Sequence, residues 1–257
     1  MCLLAHPRAL AELAEIDPDV PSGEGDRFGG YGVMGLPFAS GHLLALRRFP
    51  ASSLGYGYSS VWHRDPAGRW TFWSDIPPEA SCARYFGTSI DRVAVAPIRI
   101  SWPDTHRLHV VVGDGAIDWS VDLKATAATL LLNAVAASFP EDLWRRTTSL
   151  GAVSRIAGLL LGAGRVTLTG RAPNGQRFTA TPAQTWLVAH SHAMVDGVAL
   201  GAPAPLARQV FLGEFAIPQR GTFMIGQACF ESFDPARHSG EIARPAGWEK
   251  GKVRSEE

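Results

Sequence analysis

Short runs of alternating apolar and polar residues, punctuated by glycine, proline and aspartate, fill the chain from residue 41 onward and predict antiparallel β-hairpins. The first hairpin reads Tyr58–Asp65, a Pro66-Ala67-Gly68 turn, and Arg69–Asp75. Proline pre-sets the first turn position and Gly68 supplies the positive φ that a three-residue loop needs, which places Arg64 opposite Trp70 and Trp62 opposite Phe72. A second hairpin turning at Asp114-Gly115 sets Leu108, Val110 and Val112 against Val121, Trp119 and Ile117 on a dry face. Its wet face carries Arg107, His109 and Val111 against Asp122, Ser120 and Asp118, and the strand Ile98–Trp102 extends the pair to a meander. A third hairpin turns at Pro173-Asn174-Gly175 between Arg165–Ala172 and Gln176–Thr181, followed by strand-like runs at Gln184–Val195, Arg208–Phe215 and Gly221–Glu231.

Elsewhere the period changes. Residues 8–16 read as an amphipathic helix, and Pro18, Pro21 and the glycine-rich run 23–35 read as a loop. Between the second and third hairpins, Ala125–Ala137 is rich in Ala and Leu, Ser138–Glu141 has the form of a capping box, and Leu150, Val153, Ile156, Ala157, Leu160 and Leu161 form a helical stripe. Gly162 and Gly164 stop the last of these two or three helices. Such an insert either packs on the outside or end of the sheet or serves as an apolar lid over a ligand cavity.

The predicted fold class is therefore mainly β with a helical insert, its antiparallel hairpins forming one barrel or two half-barrels around an apolar cavity. The divisions are an N-terminal helix and glycine-rich loop (1–40), a first β-lobe (41–124), the insert (125–164), a second β-lobe (165–233) and a C-terminal tail (234–257) expected to lie on the surface or fray.

Composition narrows the function classes. Among 257 residues, Lys plus Arg and Asp plus Glu both number 24, so no global field recruits nucleic acid, and aromatics are not interleaved with a basic stripe. No apolar run is long enough to span a bilayer, and the first residues turn polar too soon for a signal-peptide core. Cys2, Cys82 and Cys229 are odd in number and lack metal spacing, which fits a reducing, cytoplasmic setting. Walker loops, nucleophile elbows, H-E-x-x-H helices and C-x-x-C pairs are all missing from the sequence, so no cofactor is expected.

The strand ending at Asp196 offers the most chemistry. Strict alternation would send Trp186, Val188, His190, His192, Met194 and Asp196 to one face, with the two imidazoles about 7 Å apart. His190, His192 and Asp196 could then handle protons as a general acid–base group, with Glu214, His63 and Asp75 as available companions. Alternatively the histidines bind a metal with a third, unnamed ligand, or they are incidental to function. Trp62, Trp73, Trp186 and Met194 are the expected ligand-binding wall.

The segments Ser60–Trp73 and Arg165–Phe178 resemble, in spacing, the two-lobed lipocalin-like (calycin) family that includes carotenoid 1,2-hydratases and tocopherol cyclases. The likeness covers about half the chain. It implies paired calycin-type lobes around an isoprenoid or other lipophile, with acid-catalysed water addition or cyclisation in some members, but it transfers no catalytic residue. The chain departs from that pattern in its shortness and its helical insert. The expected function is binding of a small hydrophobic molecule, with cofactor-free hydratase, isomerase or cyclase chemistry if the site is catalytic. A non-catalytic carrier or structural interaction protein is the alternative, and a metal-dependent enzyme using His190 and His192 is the third reading.

Overall fold

The computed structural model describes residues 6–138 and 147–242. The first half of the chain forms α1 (Pro7–Ile16), β1 (Asp26–Val33), β2 (Leu36–Pro37), β3 (Leu43–Ser52), β4 (Tyr58–Arg64), β5 (Trp70–Ser74), α2 (Ala83–Phe86), β6 (Arg92–Val95), β7 (Ile98–Ser101), β8 (Arg107–Val112) and β9 (Ile117–Lys124). The insert contributes α3 (Ala127–Ser138) and α4 (Thr147–Leu161). Then come β10 (Thr169–Arg171), β11 (Arg177–Val195), β12 (Val198–Ala199), β13 (Phe211–Leu212), β14 (Phe215–Ala216) and β15 (Thr222–Phe230).

Among the described residues, thirteen strands form one sheet in the order β6-β5-β4-β3-β1-β15-β11-β9-β8-β7, with β2, β10 and β12 attached at its sides. Both strand runs thus share a sheet, joined where β15 lies between β1 and β11. The sheet curls into a half-barrel. Its inner core gathers Tyr31, Val33, Leu44, Leu46, Val61, Val110, Trp119, Val121, Trp186 and Phe223, and Trp73 of β5 and Ile98 and Ile100 of β7, near opposite ends of the strand order, pack against the same cluster. Burying one such face drives the curl, because a flat sheet could not bring both ends onto one core.

The two predicted registers hold: Arg64 pairs with Trp70 and Trp62 with Phe72, and Leu108 with Val121 and Val110 with Trp119. The third hairpin turns where expected, with Thr169 opposite Thr179, but its first strand is only Thr169–Arg171 and its second runs on unbroken to Val195. Gly68 and Gly175 take φ of 93° and 95° as their turns require.

Other expectations are corrected. The glycine-rich run 23–35 holds a central strand, β1, in place of a loop. A β-carbon on Gly30 or Gly32 would collide with the backbone carbonyls of Arg48 and Leu46 on β3, so glycine here permits close strand approach at an irregular register and does not signal a turn. The run 208–215 is not one strand but part of a small two-stranded ribbon, β13 and β14. Of the tail, residues 234–242 lie largely on the surface, tied down at His238, which is buried and approaches Glu231 at 3.1 Å. Residues 243–257 and most of the proposed capping box, 139–141, lie outside the described residues.

The insert packs on the sheet face opposite the inner core. Leu150, Ala157 and Leu161 of α4 meet Leu187 of β11 together with Val166 and Leu168. Asn133 of α3 is the pin. Its Nδ2 donates to the Thr185 carbonyl at 3.1 Å and its Oδ1 accepts from the Thr185 amide at 2.8 Å, beside the β11 register shift at Pro182–Gln184. Pairing of β11 with β9 stops at Leu187 and Lys124, so the Thr185 backbone groups beyond it have no strand partner on that side and a buried side-chain amide satisfies them.

Candidate functional site

β3 begins Leu43-Leu44-Ala45-Leu46-Arg47-Arg48, and strand alternation sends Leu43, Ala45 and Arg47 to the face away from the inner core. On that face Trp62, Tyr58 and Phe72 stack with Phe28, Phe178 and Phe230 beneath a cover formed by α2 and the 206–217 segment. The cover does not close on the sheet completely. A cavity of about 120 Å³ remains, walled by Phe49, Trp62, Phe86, Phe178, Phe215 and Phe230, with Arg47, Tyr58, Cys82, Tyr85, Thr167, Thr179, Thr181 and Gln227 among its polar residues.

Arg47 is 7% exposed and its guanidinium lies 4.5 Å from the Trp62 ring and 5.7 Å from that of Phe215. Nη1 donates to the carbonyls of Val33 and Leu46, each at 2.8 Å, and Nη2 to that of Met34 at 3.2 Å. Burial lowers its pKa to about 10, partly offset by Cys82 and Tyr58, so it stays charged at neutral pH. Among the described residues, no carboxylate side chain lines this cavity. Carbonyl dipoles and ring faces therefore carry the whole compensation for a buried charge that would ordinarily have an acidic partner.

The neighbouring polar groups are committed elsewhere. Tyr58 Oη and Cys82 Sγ are 3.3 Å apart, and burial raises both pKa values, so neither ionises at neutral pH. Tyr85 donates to Asp26 at 2.7 Å while its ring stacks on Phe230 at 3.8 Å. Trp62 Nε1 donates to Ser60 Oγ at 3.1 Å. A second recess of about 40 Å³ lies between the sheet and α3 and α4, and it shares Val166, Leu168, Pro182 and Met224 with the larger cavity.

Of the candidate site residues named from the sequence, only Trp62 lines the larger cavity, while Val153, Ala157 and Leu161 of the helical stripe line the recess. His190 and His192 are exposed. The expected alternation fails at a register shift between Val188 and His190, where one extra residue reverses which side chains face inward. Trp186 and Val188 consequently join the inner core while the histidines point out, and Ser191 and Ala193 take the inward positions, Ser191 Oγ accepting from Trp119 Nε1 at 2.9 Å. Asp196 is exposed at φ 49°, followed by Gly197 at φ 77° in the two-residue turn between β11 and β12, a position that suits Asp for conformational reasons alone. Trp73 packs against the inner core and Met194 pairs with Ala199 in that hairpin. Among the described residues, no group of three or more His, Cys, Asp or Glu is placed to hold a metal.

Of the expected companions, Asp75 accepts from the Ser59 amide at 2.8 Å and Glu214 from the Arg171 amide at 2.8 Å, both structural roles. His63 is hydrogen-bonded to His42, Nε2 to Nδ1, at 2.8 Å. Arg47, Tyr58 and Cys82 were not among the sequence candidates. The signal for Arg47 is the double arginine that follows the apolar run Leu43–Leu46 within β3: adjacent residues face opposite ways, so one arginine falls on each face of the strand.

Neither a family model nor a curated protein matches the chain. Among solved structures, a crystal structure of acetoacetate decarboxylase from Legionella pneumophila subsp. pneumophila str. Philadelphia 1 aligns at TM-score 0.37 and 11% identity, over 83% of this chain and 87% of that one. A likeness of that extent assigns no activity to this chain.

Proposed function

We propose that the protein binds a small, largely apolar molecule in the cavity between the β3–β4 face and α2. The observation that carries this reading is an aromatic-walled space of about 120 Å³ kept open inside an otherwise packed face. Interiors pack densely, and an apolar cavity of about 150 Å³ is known to accept benzene, so this volume suits one ring or a short alkyl body. Long isoprenoids exceed it. Binding is favoured over acid–base conversion because, among the described residues, the wall carries no histidine, carboxylate or lysine side chain, while Tyr58 and Cys82 are held protonated.

Titrating the purified protein with benzene and 1-hexanol, followed by ligand-observed NMR and tryptophan fluorescence, tests the reading. Both should bind, and Ala228→Phe, which fills the cavity from β15, should abolish binding while the protein stays folded. Binding that survives in the folded Ala228→Phe variant would place the ligand elsewhere.

A further inference from the structure

A guanidinium has five N–H groups, and three of those on Arg47 meet carbonyls. Among the described residues, the Nε–H and one Nη2–H have no acceptor. The next residue shows what that edge is built to grip. Arg48 uses Nε and Nη2 to hold both carboxylate oxygens of Glu15, at 2.9 and 2.7 Å. Arg47 has the same edge and no carboxylate.

Resting on the binding reading above, we propose that the occupant is a short apolar monocarboxylate whose two oxygens take the Nε/Nη2 edge of Arg47 while its hydrocarbon body fills the aromatic cavity. A carboxylate matches the fork in planarity and charge, and pairing in a water-poor site strengthens each charge-assisted hydrogen bond. It also neutralises a buried cation that Trp62 and Phe215 contact through their ring faces. Phosphate fits less well. Its additional oxygens need further cations or donors, whereas Arg47 is the one cationic side chain in the wall and Tyr58 and Cys82 already face each other. The recess under α3 and α4 shares four wall residues with the cavity, Val166, Leu168, Pro182 and Met224, and gives a longer chain a continuation.

The test is calorimetric titration of the full chain at neutral pH with hexanoate, 1-hexanol and inorganic phosphate, repeated on Arg47→Met. In the native protein hexanoate should bind at least about tenfold more tightly than 1-hexanol, and Arg47→Met should erase that preference while keeping 1-hexanol affinity. Equal affinities for hexanoate and 1-hexanol in the native protein would overturn the carboxylate inference and leave the apolar cavity standing. Tighter binding of phosphate than of hexanoate would overturn it as well. If neither hexanoate nor 1-hexanol binds, the cavity reading itself falls, and this inference with it. Because the native protein alone decides between these outcomes, an Arg47→Met chain that does not fold leaves the test intact. Arg47→Lys then serves as the second variant, and it should weaken hexanoate more than 1-hexanol, since a single ammonium cannot make the two-pronged contact.

Discussion

At the scale of single residues, the half-buried pair His42 and His63 has the plainest consequence. Burial lowers the pKa of His63 to about 4, with His42 adding to the effect and Asp65 and Asp196 opposing it. The unfolded chain protonates near 6.5 and the folded one near 4, so between those values the unfolded state holds the extra proton. Stability is thus complete above about pH 6.5 and declines as the pH falls toward 4, by about 1–3 kcal/mol from this group. Urea midpoints measured from pH 7.5 to 4.5 should show the decline, and His63→Gln should flatten it; an unchanged slope in the variant would remove His63 as its source. Residue-scale features were legible in the sequence wherever the chemistry was local. Gly68, Gly175 and the Arg64–Trp70 pairing follow from turn rules spanning a few positions. The exposure of His190 and His192 did not, because one inserted residue after Val188 reverses alternation and nothing in the side chains there announces it.

At the scale of elements, α3 is pinned to the sheet by a polar contact set in an apolar surface, while α4 adds Ser154, whose Oγ accepts from the Leu168 amide at 3.1 Å. Asn133 supplies a donor and an acceptor to the backbone of Thr185, and truncating it to alanine leaves both buried groups unpaired. Asn133→Ala should therefore cost about 1–3 kcal/mol in unfolding free energy by denaturant titration. Hydrogen exchange should at the same time accelerate in α3 and around Thr185 before the rest of the sheet; protection that stays uniform would mean the pin is redundant. Periodicity made the insert visible and its apolar stripe predicted a covered surface, yet it left open whether the helices plug, flank or cap. The deciding feature, the end of β9 at Lys124 that leaves the Thr185 backbone open to a helix, depends on a strand about sixty residues away in sequence. The glycine-rich β1 was misread for a related reason: composition resembles a loop when close strand packing is what removes the side chains.

At the scale of the molecule, the cavity is a product of topology. Arg47, Tyr58 and Trp62 come from β3 and β4, Phe178 and Ala180 from β11, and Met224, Ala228 and Phe230 from β15, which lies between β1 and β11 in the sheet. Hairpin signals revealed that β-structure dominates and that strands curl around apolar space, but which strands meet across the sheet is set by pairings such as Gly30 with Gly226 that no local signal encodes. Such non-local pairings slow folding, since distant segments must meet before any contact offsets the lost chain entropy. In stopped-flow refolding, quenching by a bound cavity ligand should therefore appear in the slowest phase, after most circular dichroism has returned. Quenching that tracks the fastest phase would show that the wall assembles early.

The placement of β15 also bears on synthesis. It is the last strand of the sheet to leave the ribosome, and until it arrives β1 has an unpaired edge and the aromatic face of β3 and β4 lacks one wall. A nascent chain in that state offers both a sticky strand edge and an open apolar surface, the two features that chaperones intercept and that aggregation exploits.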